Sequence, residues 1–183
     1  MITWTEQESG IVLQPIERLY ATLGIADILT IESGRVEGTV VIIEAPVRAA
    51  VLAHLRTRNS ELGGLLIGEA FVDRNQATPQ VVRIKEAVAS HDYSSTGVSL
   101  RMESDVWSRA RAALRGDRLI VGWYHSHPGL TAFFSDTDRK TQRAFFPHAY
   151  SVGWVIDPSD GDEKVYLGAA SAELAPARLL GSL

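Results

Sequence analysis

The chain has 183 residues, 45% of them hydrophobic and 22% charged, a balance that supports one packed domain and excludes both a disordered chain and two ordinary domains. Its formal net charge is −4 with His neutral, and bases such as Arg109, Arg111, Arg139 and Lys140 are interleaved with acids, so no broad basic face follows and nucleic acid is set aside as a partner. There are no cysteines, which excludes disulfides, thiolate nucleophiles and Cys-ligated zinc; any metal must be held by His and carboxylate.

The first residues, "MITWTEQESG", contain neither a basic nor an apolar signal region, and no apolar run approaches about 18 residues. A cytoplasmic protein with no membrane partner is expected. Residues 1–37 read as an N-terminal extension. Within it "IVLQPIERLYATLGIADILTI" is apolar throughout, with Pro15 near a helix start and Gly24 near its stop, before the polar "ESGRVEG". From Thr39 the signals sharpen: "TVVIIE" is a β-branched strand, and "PVRAAVLAHLRTRN" places Val47, Val51, Leu52 and Leu55 at helical spacing behind Pro46. "GGLLIGEAFV" and "PQVVRIKEAVA" read as an antiparallel pair joined by "DRNQAT".

A polar stretch, "SHDYSSTG", then leads into "VSLRM". "ESDVWSRARAALRG" is predicted as a helix, with Ser104 or Asp105 near its cap and Gly116 as its stop. "RLIVGWYHSH" reads as a central strand, "SDTDRKTQRAFF" as a helix, and "SVGWVID" and "KVYLGAA" as two strands around "PSDGDE". The fold class is therefore α/β, a mixed β-sheet flanked by helices in a layered sandwich.

The stretch "GWYHSHPGLTAFFSDTD" carries the chemistry. Side chains two apart on a strand share a face, so His125 and His127 present both imidazoles together at the strand's end. Asp138, in the first turn of the next helix, is able to face back toward them. Two His nitrogens and a carboxylate, with a fourth position for water, are the donor set of a catalytic zinc site. Ser135 and Asp138 alternatively form only a capping box, and an isolated His-x-His is more often incidental.

The full spacing, His-x-His-Pro, six residues, then Ser-x-x-Asp, resembles the JAMM (MPN+) motif of zinc-dependent deubiquitinases and related isopeptidases. That family also has a glutamate just before a Gly-rich strand, a place that "ELGGLLIG" fills with Glu61. The resemblance covers roughly residues 39–170 and implies an MPN/JAB domain, with layers like those of cytidine deaminase, over residues 38–183. It implies that His125, His127 and Asp138 bind one Zn²⁺ with its water, that Glu61 is general base and then general acid, and that Ser135 steadies the oxyanion. The implied partner is ubiquitin or a ubiquitin-like protein with a Gly-Gly C-terminus, with conjugating enzymes as further partners.

Residues 89–100 correspond to the insertion that flanks the substrate channel in relatives. Lacking cysteines for a second zinc site, the chain looks more like stand-alone prokaryotic members that process modifiers or serve antiviral conjugation operons. Two other readings stay open: a superfamily peptidase acting on a non-ubiquitin substrate, and a catalytically silent MPN scaffold. His54, His91 and His148 read as surface or packing residues, Glu69 as an exposed strand carboxylate, and Trp123 and Trp154 as core. Of Phe133 and Phe134, one is expected to anchor the loop and the other to line the groove.

Overall fold

A computed structural model describes residue 11 and residues 13–91 and 104–181. The predicted strand "VSLRM" and most of the flanking insertion at 89–100 lie outside the described residues.

The β-branched run forms strand β2 (Val40–Ile43), and helix α3 (Ala45–Leu55) starts immediately after it with Pro46 in its first turn, where a missing N–H costs nothing. Strands β3 (Gly63–Val72) and β4 (Val81–Ala89) pair antiparallel as expected. Helix α4 (Ser104–Ala113) precedes strand β5 (Leu119–Ser126), and Gly116 takes its positive φ of 57° in the turn between them. Helix α5 (Asp136–Phe145) then connects β5 to strand β6 (Val152–Ile156), which lies parallel beside it, and strand β7 (Glu163–Leu167) returns antiparallel.

Among the described residues these strands join one mixed sheet, in which the order β7-β6-β5-β3-β4-β2 is extended by two-residue strands. β8 (Ala172–Glu173) pairs with β7, and β9 (Leu179–Leu180) pairs with β2. β1 (Gln14–Pro15) pairs with the far end of β3.

Alternation along the strands divides the core. Val41, Ile43, Leu66, Val82 and Trp154 pack with Val47, Val51 and Leu55 of α3 on one face. Leu65, Ile67, Trp123 and Val155 pack with Val106 and Ala110 of α4, Phe134 and Phe146. Burying each such side chain contributes about 1.5–3 kcal/mol, and this burial is what fixes the register. Trp123 and Trp154 are both fully buried, as their strand positions suggest. At Gly122 a Cβ would meet the Val152 carbonyl oxygen at 1.9 Å, so the absence of a side chain lets β5 and β6 approach.

The N-terminal region departs from its predicted shape. The apolar run holds two helices, α1 (Ile16–Tyr20) and α2 (Ile25–Arg35), and Gly24 caps the second rather than ending the first. Helix α2 runs on through the polar "ESGR" because its inward side has a partner: Ile31 is fully buried, and a Cβ on Gly34 would stand 2.9 Å from Val40. Ile16, Leu19 and Ile31 cover Val40, Ile42 and Phe71 of the sheet.

Candidate metal centre

Three segments meet at the end of the sheet where β5 and β6 finish and β3 begins. The register sets Gly63 opposite His125. One step outward, the Ser126 amide donates to the Leu62 carbonyl at 2.8 Å and the Leu62 amide to Ser126 Oγ at 3.0 Å. That pair carries Glu61 and His127 together past the last rungs of the ladder. The chain then turns through residues 128–134 and enters α5.

Ser135 caps that helix in a reciprocal box. The Asp138 amide donates to Ser135 Oγ at 3.2 Å, while Asp138 Oδ2 accepts from both the Ser135 amide and the Ser135 hydroxyl, each at 2.7 Å. The capping reading is thus realised, and it turns Asp138 toward the histidines. Asp138 Oδ1 stands 3.3 Å from His125 Nε2, and Oδ2 stands 3.6 Å from His127 Nε2. One donor atom from each of the three residues lies within 4.8 Å of the others, and no other such group occurs among the described residues. His125, His127 and Asp138 are 1%, 4% and 6% exposed.

Both ring nitrogens of His125 and Nδ1 of His127 are buried without a hydrogen-bond partner. Leaving such atoms unsatisfied costs about 1–3 kcal/mol each. Ligand atoms at about 2.0–2.1 Å around a tetrahedral zinc would be about 3.4 Å apart, and the Asp138–histidine distances lie at that value rather than at the shorter one of a direct charge-assisted pair. The residues present therefore fit a metal. Burial, followed by repulsion from His125, lowers the His127 pKa against the pull of Asp138 and Asp157, and a neutral imidazole is the form that ligates. Burial would raise Asp138, but His125 and the Ser135 donors outweigh it and keep the carboxylate ionised.

Glu61 stands at the rim. Its Oε1 is 3.8 Å from His127 Nε2, and its side chain is 39% exposed. Burial raises its pKa, His125 opposes this, and Asp138 adds to it. Its pKa is thus held above the ordinary carboxylate value.

Packing, not hydrogen bonding, orients the histidines. Trp123 stacks on His125 with ring centres 4.5 Å apart and planes 8° apart, and Phe134 is 5.7 Å from the same ring. Phe134 is 5% exposed and lies so close over β6 that a Cβ on Gly153 would meet its ring at 2.3 Å. Phe133 is 42% exposed, with its ring 4.9 Å from that of His127. Of the two, Phe134 is packed into the core and Phe133 is left exposed beside His127.

Comparison with known proteins settles the lineage. Residues 44–166 match the family described as prokaryotic homologs of the JAB domain. The chain belongs to that family. Its mixed sheet with flanking helices is the JAB/MPN fold, and Glu61, His125, His127, Ser135 and Asp138 all fall inside the matched span. The "26S proteasome regulatory subunit RPN11" of Candida glabrata is 39% identical over 103 residues, and the "Ubiquitin carboxyl-terminal hydrolase RPN11" of Saccharomyces cerevisiae 37% identical over 103. Each match takes in 54% of this chain and 31% of the relative, so the JAB chain spans about a third of the length of these curated relatives. A solution structure of a protein from Desulfitobacterium hafniense matches with a TM-score of 0.54 at 21% identity, over 69% of this chain and 83% of that one, a likeness of fold alone.

His54 bonds Tyr124 Oη through Nδ1 at 2.9 Å, His148 stacks on Tyr150, and Glu69 pairs with Lys85 at 3.5 Å. None joins the JAB centre. Sequence reasoning missed Gln142 and Asp157. Gln142 accepts from Trp123 Nε1 at 2.6 Å and donates to the Ser151 carbonyl at 3.2 Å, which fixes the ring that backs His125. Its signal was its place four residues after Asp138, on the same helix face. Among the described residues no helix is long and apolar enough to cross a membrane.

Proposed function

We propose that the chain is a JAMM-type zinc isopeptidase, with residues 38–183 as its catalytic domain, residues 1–37 as its extension, and cytoplasm as its compartment. The observation that carries this is the spacing of His125, His127 and Asp138, whose buried donors lie at distances suited to a shared ion, with Glu61 beside them. Bound there, zinc would lower the pKa of a water to about 7 and polarise a carbonyl oxygen.

The chain's own groups supply the proton movements. Glu61 takes a proton from the attacking water at Oε1 as its oxygen adds to the scissile carbonyl carbon. When the C–N bond breaks, Glu61 returns that proton to the departing amine, so water is divided between the new carboxylate and the amine. Exposure at Glu61 and burial of the ligands match a site open on one side only. Ser135 donates its hydroxyl proton to Asp138 in the resting arrangement; turning that proton outward would let it meet the oxyanion.

The proposed substrate is ubiquitin or a ubiquitin-like modifier ending in Gly-Gly, cut from a conjugate or from its own precursor, because the named RPN11 relatives include a ubiquitin carboxyl-terminal hydrolase. The test is zinc content together with cleavage of modifier fusions ending in Gly-Gly. One zinc per chain with cleavage after Gly-Gly supports the reading. Zinc with cleavage of unrelated peptides alone points to a non-ubiquitin peptidase, and a metal-free, inactive protein to a silent scaffold; either result overturns it.

A further inference from the structure

The loop at residues 128–134 joins His127 to Ser135 and Asp138, so its shape decides how the ligands face one another. Its backbone is held from outside. Asp157, which follows β6, accepts from the Gly129 amide at 3.0 Å through Oδ1 and from the Thr131 amide at 3.1 Å through Oδ2. Asp162, just before β7, accepts from the Ala132 amide at 2.8 Å. Three amides of the loop, at positions 129, 131 and 132, are thus tied to one turn.

That turn is closed on itself. The Asp157 amide donates to the Asp162 carbonyl at 2.8 Å, the Gly161 amide to the Asp157 carbonyl at 2.9 Å, and the Ser159 amide to Asp157 Oδ1 at 2.9 Å. Asp157 is 2% exposed, so its bonds form away from water, where an unmade one is costly. Thr131 has φ +66°, a conformation that a β-branched residue keeps only when its surroundings impose it. The Asp157 carboxylate is the group bonded to its amide.

We infer that Asp157 is a positioning residue: with Asp162 in support, it holds the 128–134 loop so that His127 stays at ligating distance from Asp138. The inference rests on the zinc-site reading above. Asp157 bonds the backbone of the loop between the ligands, as outer groups commonly do for metal ligands, and its charge also bears on His127.

The test compares wild type with Asp157→Asn, which keeps the shape but puts an N–H₂ group where an acceptor is needed, and with Asp162→Ala. Zinc affinity is measured by competition with a chromophoric chelator, and the visible spectrum is recorded after cobalt(II) substitution, both well below each variant's melting temperature. Zinc affinity is expected to fall about 10- to 100-fold in Asp157→Asn and by a smaller factor in Asp162→Ala, with a changed cobalt spectrum. A purely structural contribution would lower the melting temperature and leave affinity and spectrum unmoved, and that result in either folded variant overturns the inference. If Asp157→Asn does not fold, Asp162→Ala decides alone. A wild type that takes up no zinc removes the ligand reading as well, whereas normal uptake by wild type and variants alike removes only the role of Asp157.

Discussion

Glu61 faces His127 across the open end of the β3–β5 pair, its Oε1 3.8 Å from His127 Nε2. Backbone register brings them together, because Gly63 opposite His125 and Leu62 bonded to Ser126 carry Glu61 to the side of His127, the residue that follows β5. Glu61→Gln keeps the shape and removes the ability to take a proton. Under the proposed mechanism it should retain full zinc and lose about 10²- to 10⁴-fold in kcat. Metal analysis and single-turnover cleavage of a Gly-Gly fusion check this. A Gln variant within a few-fold of wild type would remove Glu61 as the base.

Ser135 has two roles to separate. Its Oγ accepts from the Asp138 amide and donates to Asp138 Oδ2, so Ser135→Ala should lower stability by about 1 kcal/mol through loss of the cap. An oxyanion role adds a fall in kcat of up to about 10²- to 10³-fold with little change in KM. Denaturant unfolding and steady-state kinetics on the same preparation distinguish the two. Lost stability with unchanged kcat assigns Ser135 to the cap alone.

Gln142 supports His125 at one remove, through the indole it fixes. Gln142→Leu leaves the Trp123 N–H buried and unpaired, at about 1–3 kcal/mol, and frees the ring stacked on His125. Zinc affinity should fall about 10-fold or more. Trp123 fluorescence reports the altered packing, and chelator competition reports the metal. Unchanged affinity in a destabilised variant would confine Gln142 to the core.

The sequence reading and the structure part where local signals are short. The β2–α3 unit, the β3–β4 pair and the β5–α5–β6 unit were legible because each carries five or more residues at a clear period, bounded by Pro, Gly or a cap. Strands β1, β8 and β9 have two residues each, too few for any period, and they exist only because a sheet edge is there to receive them. Gly24 was read as a stop because glycine favours helix ends; it serves equally at a start, and the buried face of α2 decided the matter. At the centre, strand and helix geometry allowed His125, His127 and Asp138 to converge but left a bare capping box as an alternative; the resemblance to the JAMM motif singled them out together with Glu61. Asp157 was not legible, since its partners are backbone amides of a loop whose shape no residue pattern prescribes.

Asp157 also makes a prediction about acid stability. Amide donors from Gly129 and Ser159 lead the effects that pull its pKa down from the ordinary value of 3.8 to about 2 in the folded protein. The unfolded chain therefore binds this proton at a higher pH than the folded one. The resulting stabilisation is fully present above about pH 4 and is lost as pH falls through about 2. Metal-free wild type should lose stability across this window more steeply than Asp157→Asn, which has no proton to take up there. Urea unfolding of both proteins at intervals from about pH 5 to pH 2 measures the difference in slope. Parallel curves would mean that the loop amides do not hold the carboxylate ionised in solution.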